Sequence, residues 1–439
     1  MRQSPPAIRS VGFAVTALAT IALFMAVPAQ ASAAGQSANP NNTHGPGVMT
    51  HGRYAPMHGK VLRAGCGAKP EKGSASCDAQ LLADASQNNA GPQLMSAATG
   101  YGPADLQSAY GLAGLKSGGA TVAIVDAMND PNAAADLAAY RGHFGLPTCT
   151  VANGCFKQIN QQGATSPLPA NDYGWAEEIS LDLDMVSAIC PDCHITLVEA
   201  NSANLSDLAT AEDTAAGQPG VVAISNSYGG TEDGTEVSMD SHYNHPGVAI
   251  TASTGDSGYG ASYPATSPHV TAVGGTTLNK ASTPRGWTET AWSGAGSGCS
   301  KDLAQPSFQT GLTPCTTRAI ADVSANADPN TGVAVYDTAN SCGSNALCDL
   351  LIGLGLVQGA DGWVQVGGTS ESSPIIASVY ALAGNAHTID NSYPYGHSAS
   401  LNDVTSGSNG SCTQKVLCNA GIGWDGPTGL GTPNGAGAF

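Results

Sequence analysis

The sequence predicts an α/β fold in which helices cover both faces of a parallel β-sheet. Beyond Gly100, short β-branched runs alternate with segments of helical pattern, and such alternation is typical of parallel sheets. The candidate strands are TVAIVDA, HITLVEA, VVAISNSY, GVAITAST and VTAVGG. The candidate helices are AAADLAAYRGHFG, which follows Pro131, and LSDLATAEDTAAG. Sheets of this kind carry their chemistry in loops at the carboxyl ends of the strands.

The N-terminus has the pattern of a secretory signal peptide over residues 1–34. Arg2 and Arg9 precede the apolar run VGFAVTALATIALFMAV, and small residues follow it. A retained membrane anchor is the alternative. No later segment has 18 uninterrupted apolar residues, so we expect a secreted, extracellular protein without a membrane partner once the signal peptide is removed. Residues 35–94 are rich in Gly, Asn, Ser and Pro, which indicates a low-complexity leader or short propeptide.

The composition is acidic and poor in charge. The chain has 439 residues, of which 11% are charged, and its formal net charge is -18. With only 15 basic residues it has no positive surface for phosphates, so we expect no nucleic-acid partner. Few basic groups and many neutral polar ones are compatible with work at low pH.

Twelve cysteines indicate an oxidising compartment, because they fall in six local couples that suit disulfides. The couples are Cys66 and Cys77, Cys149 and Cys155, Cys190 and Cys193, Cys299 and Cys315, Cys342 and Cys348, and Cys412 and Cys418. Zinc is the competing hypothesis at Cys190 and Cys193, which His194 follows.

The stretch GGTSESSPIIASVYAL contains a candidate nucleophile, Ser370. It precedes Pro374, and proline is favoured in the first turn of a helix, here PIIASVYALAG. A hydroxyl at a helix N-terminus lies where a developing oxyanion is stabilised. Taken alone, an N-cap serine is the commoner role.

The base for such a serine is not an evident histidine. Asp126 suits the acid of a histidine-based triad, yet His143, His194, His242, His245 and His269 all lack the His-Gly-Thr context that such a base would have.

Carboxylates offer another base. Glu178 and Asp182 lie one helical turn apart, so they can share a proton, one acting as base while the other orients it. Acids at this spacing are also common on solvated helices. We expect Glu177 and Asp184, at other angles on this helix, to be flanking or solvent-facing, and Glu371 to face solvent.

Asp256, in GVAITASTGDSGYG, follows a candidate strand. A protonated carboxyl at such a strand end can donate a hydrogen bond to an oxyanion. A surface turn is the plainer interpretation of Gly-Asp-Ser-Gly.

Three motifs occur in the order Glu178-Ile-Ser-Leu-Asp182, Gly255-Asp256-Ser-Gly258 and Gly368-Thr-Ser370-Glu-Ser-Ser-Pro374. In this order they resemble the motifs of the sedolisin, or serine-carboxyl peptidase, family. The resemblance covers residues 95–439 and implies a peptidase domain with a subtilisin-like fold around a seven-stranded parallel sheet. It implies acid-active cleavage of protein or peptide substrates. We expect an endopeptidase and a monomer, and removal of tripeptides from an N-terminus is the alternative activity. Ser370 would attack, Glu178 would serve as base, Asp182 would orient Glu178, and Asp256 would bind the oxyanion.

The segments LNDVTSGSNG and AGIGWDGPTGLG resemble the calcium loops of that family. The resemblance implies a Ca²⁺ site with carboxylate ligands from Asp403 and Asp425 and backbone oxygens from Val404, Gly421 and Gly423. Calcium takes six or more oxygen ligands, the remainder being carbonyls or water.

The leader departs from the family pattern, because residues 35–94 are too short and too poor in core-forming residues for the usual folded propeptide. Two other hypotheses stay open, a histidine-based subtilisin-like peptidase and a secreted binding protein on a catalytically dead fold.

Overall fold

Strands and helices alternate along most of the chain. The computed structural model describes residues 70–84, 98–339 and 362–439, together with Met1, residues 56–57 and 60–64, and Cys66. The strands are β1 Pro56–Met57, β2 Lys60–Ala64, β3 Ser76–Cys77, β4 Gln80–Asp84, β5 Thr121–Ala127, β6 Phe156–Asn160, β7 His194–Ala200, β8 Val221–Asn226, β9 Tyr228–Gly229, β10 Ala249–Ser253, β11 Thr271–Lys280, β12 Trp287–Ala291, β13 Gly298–Ala304, β14 Thr317–Ile320, β15 Val323–Asn326, β16 Val333–Asp337, β17 Gly362–Gly367, β18 Leu401–Asn402 and β19 Thr432–Pro433.

The helices of the described residues are α1 Pro103–Ala109, α2 Ala133–His143, α3 Tyr173–Ile189, α4 Leu205–Ala216, α5 Glu236–Met239, α6 Thr369–Ala383 and α7 Tyr393–Gly396. Short 3-10 helices lie at Asp240–Tyr243, Ser307–Gln309, Pro329–Thr331, Ala386–Thr388, Ser398–Ser400 and Lys415–Leu417.

The main sheet has eight strands, seven of them parallel. Its order is β12-β11-β10-β8-β5-β7-β6, and β15 also pairs with β11. All pairs are parallel except β11 with β12. The predicted parallel sheet of about seven strands is therefore confirmed, with an antiparallel strand added at one edge. All five candidate strands belong to it.

Helices pack on both faces of this sheet. Neighbouring residues of a strand point to opposite faces. In β8, the Ser225 hydroxyl lies 3.0 Å from that of Ser373 in α6. The next residue, Asn226, instead interacts with Glu212 of α4, since its side chain lowers the pKa of that carboxyl. Helix α3 packs against α6, so α3 and α6 share one face and α4 lies on the other.

A second sheet joins the leader to the rest of the chain. Its order is β1-β2-β4-β17-β16, and all its pairs are antiparallel. The predicted low-complexity leader therefore contributes three strands to this sheet, of which β4 pairs with β17 far along the chain. The predicted signal peptide lies outside the described residues apart from Met1. Across the described part of the chain, no helix is both long and apolar enough to cross a membrane.

Five of the six predicted disulfides are present. They are Cys66–Cys77, Cys149–Cys155, Cys190–Cys193, Cys299–Cys315 and Cys412–Cys418. The couple of Cys342 and Cys348 lies outside the described residues. Because Cys190 and Cys193 are joined to each other, they offer no thiolate for zinc, and that alternative is wrong.

Candidate active site

Ser370 lies in the first turn of α6 and is fully buried. The helix begins at Thr369, so Pro374 lies inside it rather than in its first turn as predicted. Because proline has no N–H, the Ser370 carbonyl lacks its helical partner. The Ser227 hydroxyl donates to that carbonyl over 3.3 Å, and the Ser370 hydroxyl donates to the Ser227 carbonyl over 3.1 Å. Ser227 thus holds the first turn of α6 together where the proline interrupts it.

Glu178 and Asp182 lie on α3, whose first turn is capped by Asp172. Both acids are fully buried. Burial raises the pKa of Glu178 well above its usual range, and Asp182 raises it further, whereas the neighbouring Ser370 side chain lowers it. Burial also raises the pKa of Asp182, whereas a hydrogen bond of 2.8 Å from the Ser227 hydroxyl lowers it. The structure thus brings Ser370, Glu178 and Asp182 together.

Asp126, at the end of β5, extends this row of carboxyls. It is fully buried, and burial and then the charge of Asp182 raise its pKa well above the usual range. Asp126 also raises the pKa of Glu178. From its sequence, Asp126 was predicted only as the acid of a histidine triad. Asp126 lies at the end of a strand, on the edge of the sheet that carries the site. This position could have indicated that Asp126 belongs with the carboxyls of the site.

Asp256 follows β10 and faces the first turn of α6. Its Oδ1 accepts hydrogen bonds from the Thr369 N–H over 2.8 Å and from the Thr369 hydroxyl over 2.9 Å. Its Oδ2 is buried and has no hydrogen-bond partner among the described residues. Burial raises the pKa of Asp256 well above its usual range, and the Asp78 carboxyl adds to the shift. A carboxyl in this state can keep its proton and donate it from Oδ2.

A segment of the leader, residues 74–82, lies across this site. The Asp78 N–H donates to Ser370 Oγ over 3.0 Å, and the Ser370 N–H donates to the Asp78 carbonyl over 3.3 Å. The Cys66–Cys77 disulfide lies beside the base, since both sulfurs are within 4.8 Å of a Glu178 carboxylate oxygen. Neither contact was predictable from the sequence, because each joins residues that are far apart in the chain.

Three neighbouring acids are not solvent-facing, contrary to expectation. Glu177 and Asp184 are buried, and Asp184 Oδ2 accepts a hydrogen bond from the Tyr336 N–H over 2.9 Å. Glu371 is also fully buried, and the Asn326 amide donates to it over 2.8 Å. The expectation was wrong because α3 and α6 are covered on all sides, so that even their polar positions lie inside the molecule.

Three of the histidines that were considered as a base lie close to aspartates. His242 and His245 contact Asp213, with nitrogen to oxygen distances of 2.6 and 3.2 Å. His269 lies 3.4 Å from Asp240.

The predicted calcium residues come together in two loops. Asp403 Oδ2 accepts a hydrogen bond from the Gly423 N–H, and Asp425 Oδ2 accepts one from the Gly421 N–H, each over 3.0 Å. Burial raises the pKa of Asp425 to about 7, and the charge of Asp403 contributes to the shift. Val404 is buried beside Asp403. Two carboxylates that repel each other within a glycine-rich loop form a donor set that suits a hard cation.

The comparisons with known proteins agree with this geometry. Over 383 residues, the chain is 28% identical to kumamolisin from Bacillus sp. (strain MN-32), a match of 77% of this chain and 63% of that protein. Over 194 residues it is 33% identical to sedolisin from Pseudomonas sp. (strain 101), a match of 40% of this chain and 29% of that protein. The chain thus spans less than two thirds of the length of these relatives. No protein-family model matches the chain.

The fold is also similar to that of a solved structure. Pseudomonas sedolisin, a serine-carboxyl proteinase complexed with two molecules of pseudo-iodotyrostatin, superposes with a TM-score of 0.61 at 25% identity. The superposition covers 77% of this chain and 96% of that one. With the ordered glutamate, aspartate and serine positions on a subtilisin-like sheet, these similarities confirm the resemblance to the sedolisin family.

Proposed function

We propose that the chain is a secreted, acid-active serine-carboxyl endopeptidase that hydrolyses protein or peptide substrates. One observation carries the proposal: the buried Ser370 side chain lies close enough to the Glu178 carboxyl to lower its pKa, in a site where neither that carboxyl nor Asp256 Oδ2 has a hydrogen-bond partner among the described residues. A nucleophile, a base and an oxyanion donor are the three parts that acyl transfer requires.

The mechanism follows from these positions. Ser370 Oγ attacks the substrate carbonyl carbon as Glu178 takes the hydroxyl proton. Asp182 holds a shared proton on the far side of Glu178 and orients it. The tetrahedral oxyanion accepts hydrogen bonds from Asp256 Oδ2 and from the Ser370 N–H. Glu178 then returns its proton to the leaving amine, and water hydrolyses the acyl-enzyme by the same steps in reverse.

Activity is expected in acid because Asp256 must keep its proton to donate a hydrogen bond. Burial raises the pKa of Asp256, so the proton persists above the usual range of an aspartate, and activity falls as pH rises through that raised pKa.

Cleavage inside a chain, rather than near an N-terminus, is supported by the leader segment. Its Ala75 N–H donates to the Ala203 carbonyl over 2.8 Å, so contacts to the chain extend several residues before the serine.

A calcium ion in the C-terminal loops fits this proposal. Asp403 and Asp425 would hold it through carboxylates, and the backbone carbonyls of Val404, Gly421 and Gly423 would complete part of its shell. Its contribution is to neutralise the two acids and to fix the loops. The catalytic steps do not pass through it.

Secretion is supported by the N-terminal sequence pattern and by the five disulfides, which persist in oxidising compartments.

The test is cleavage of a denatured protein from about pH 3 to about pH 8, with Ser370→Ala and Glu178→Gln as variants. We expect activity in acid that both substitutions reduce by at least about 10³. A neutral optimum that is indifferent to Glu178→Gln would indicate a histidine base instead. Absence of activity at every pH would support the dead-fold hypothesis.

A further inference from the structure

The leader segment pairs with the rest of the chain on both sides of Ser370, as an extended peptide does when it adds a strand to a sheet. Before Asp78, strand β3 runs antiparallel to β9, with Cys77 opposite Tyr228. After Asp78, strand β4 runs antiparallel to β17, with Gln80 opposite Gly367. Asp78 itself lies between the two paired stretches. The segment therefore has the extended shape and the main-chain contacts of a bound substrate.

The main chain of Asp78 meets the reacting groups. Its N–H lies within hydrogen-bond reach of both Ser370 Oγ (3.0 Å) and the Ser227 carbonyl (3.3 Å), and its carbonyl accepts from the Ser370 N–H. A Cβ built on Gly368 would meet the Asp78 carbonyl oxygen at 1.9 Å and Asp256 Oδ2 at 2.6 Å. The carbonyl and the proposed oxyanion donor thus converge on one space, which only a glycine at this position leaves open. The bond presented to the nucleophile is the one that follows Asp78.

The side chain of Asp78 occupies a polar pocket. Its Oδ2 accepts a hydrogen bond of 2.7 Å from the Ser253 hydroxyl. A Cβ on Gly229 would meet Asp78 Oδ2 at 3.4 Å and Ser262 Oγ at 3.1 Å, so the absence of a side chain there also makes room. Burial raises the pKa of Asp78 to about 7. The pocket therefore holds a protonated carboxyl of this size through a hydroxyl donor.

We propose that the peptidase prefers aspartate on the acyl side of the bond it cuts, and that the bond between Asp78 and Ala79 of its own leader is a bond of this kind that Ser370 cleaves. This inference rests on the proposed peptidase function and adds a substrate class to it. Ser253 is the specificity-determining residue, because its hydroxyl contacts the side chain that defines the preference.

The reaction uses water alone as co-reactant. Ser370 Oγ bonds to the Asp78 carbonyl carbon, and its proton passes to Glu178. The bond to the Ala79 nitrogen breaks as Glu178 gives that nitrogen the proton. Water then adds to the acyl carbon, which frees Ser370 and leaves a carboxyl group on Asp78 and an amine on Ala79.

The Cys66–Cys77 disulfide determines what the cut releases. Both cysteines precede the cleaved bond, so the disulfide closes a loop within the N-terminal product and does not tie that product to the enzyme. The product carries away the sulfurs that lie beside Glu178. Dissociation of this product therefore opens the acyl side of the cleft to other substrates.

The first test follows the N-terminus of the full chain after a shift from neutral to acid pH. We expect a new N-terminus at Ala79 in the wild type and none in Ser370→Ala. Because nucleophile and bond share one chain, the rate constant should not change over a tenfold dilution. Cleavage at another bond, or an uncut wild type that still degrades a denatured protein, would overturn the inference and leave the proposed function standing. An uncut chain without activity on any substrate would contradict both this inference and the proposed peptidase function.

The second test uses the peptide ASSDAQLL, which carries residues 75–82 with serine in place of Cys77, and the acid-treated full chain. Replacing the aspartate of this peptide with lysine should lower kcat/KM by at least about tenfold, whereas asparagine, of nearly equal shape and without charge, should be cut at a similar rate. Ser253→Ala should reduce the difference in kcat/KM between the aspartate peptide and a peptide with alanine in place of that aspartate. Equal cleavage of the aspartate and lysine peptides would overturn the stated preference.

Discussion

The two oxygens of Asp256 have different surroundings, and this difference carries its proposed role. Oδ1 is held by Thr369, whereas Oδ2 points into the space beside the Asp78 carbonyl. Fixing one oxygen leaves the other as the only place for a proton that can reach a substrate. A carboxyl thereby serves where other peptidases use an amide or backbone N–H.

Replacing Asp256 with alanine is expected to lower kcat by about 10² to 10³, the usual effect of losing one oxyanion donor. Asparagine should cost less, because its oxygen can still accept from Thr369 while its NH₂ donates. The measurement is kcat on a peptide in acid for both variants, with thermal melting to check that each is folded. Equal losses in the two variants would contradict a donor role.

The residues named by short motifs were predictable, and those defined by distant contacts were not. Glu178 and Asp182 are recognisable because one helical turn separates them in the sequence as in space. Ser227 and Ser253 lack such a local signal, since each acts through a residue more than a hundred positions away. The exposure of Glu371 was predicted wrongly, because an acid next to a serine gives no sign of a buried asparagine partner.

At the level of elements, the strands of the main sheet were predicted well because each is a short, continuous apolar run. The beginning of α6 was not, since Pro374 suggested a first turn that lies five residues too late. The leader strands were missed for a physical reason. Residues 80–84 have no regular pattern of their own and are strand only because β2 and β17 flank them.

The C-terminal loops offer a prediction at this scale. Raising free calcium to about 100 times its Kd should increase the free energy of unfolding by about 2.7 kcal/mol, because binding favours the folded state. Asp425→Asn should abolish most of this dependence. The measurement is thermal unfolding with calcium or with a chelator, and Asp390→Asn, at an exposed site elsewhere, is the control. If thermal unfolding of the wild type is the same with calcium and with the chelator, the proposed calcium site is contradicted.

Among the described residues of the whole molecule, buried acids outnumber buried bases, and this sets how stability depends on pH. Burial raises the pKa of Glu199 and of Glu212 from 4.5 to about 8, and that of Asp130 from 3.8 to about 7. Between about pH 4 and pH 8 the folded protein therefore binds more protons than the unfolded chain. Its stability is greatest below this window and falls as pH rises through it.

We accordingly expect a higher midpoint of urea denaturation at pH 4 than at pH 8, measured with Ser370→Ala to prevent self-digestion. Glu212→Gln should flatten the dependence, because glutamine keeps the shape of the side chain and does not titrate. A midpoint that rises from pH 4 to pH 8 would show that these acids are ionised in the folded protein.

The wide separation of the site residues along the chain has a consequence for the order of synthesis. Ser370 meets a leader residue 292 positions before it, while Glu178 and Asp256 come from α3 and the end of β10. A chain is made from its N-terminus, so the base is made first, the oxyanion donor next and the nucleophile last. A truncated chain that stops before residue 370 carries the acids but has nothing with which to attack the proteins around it.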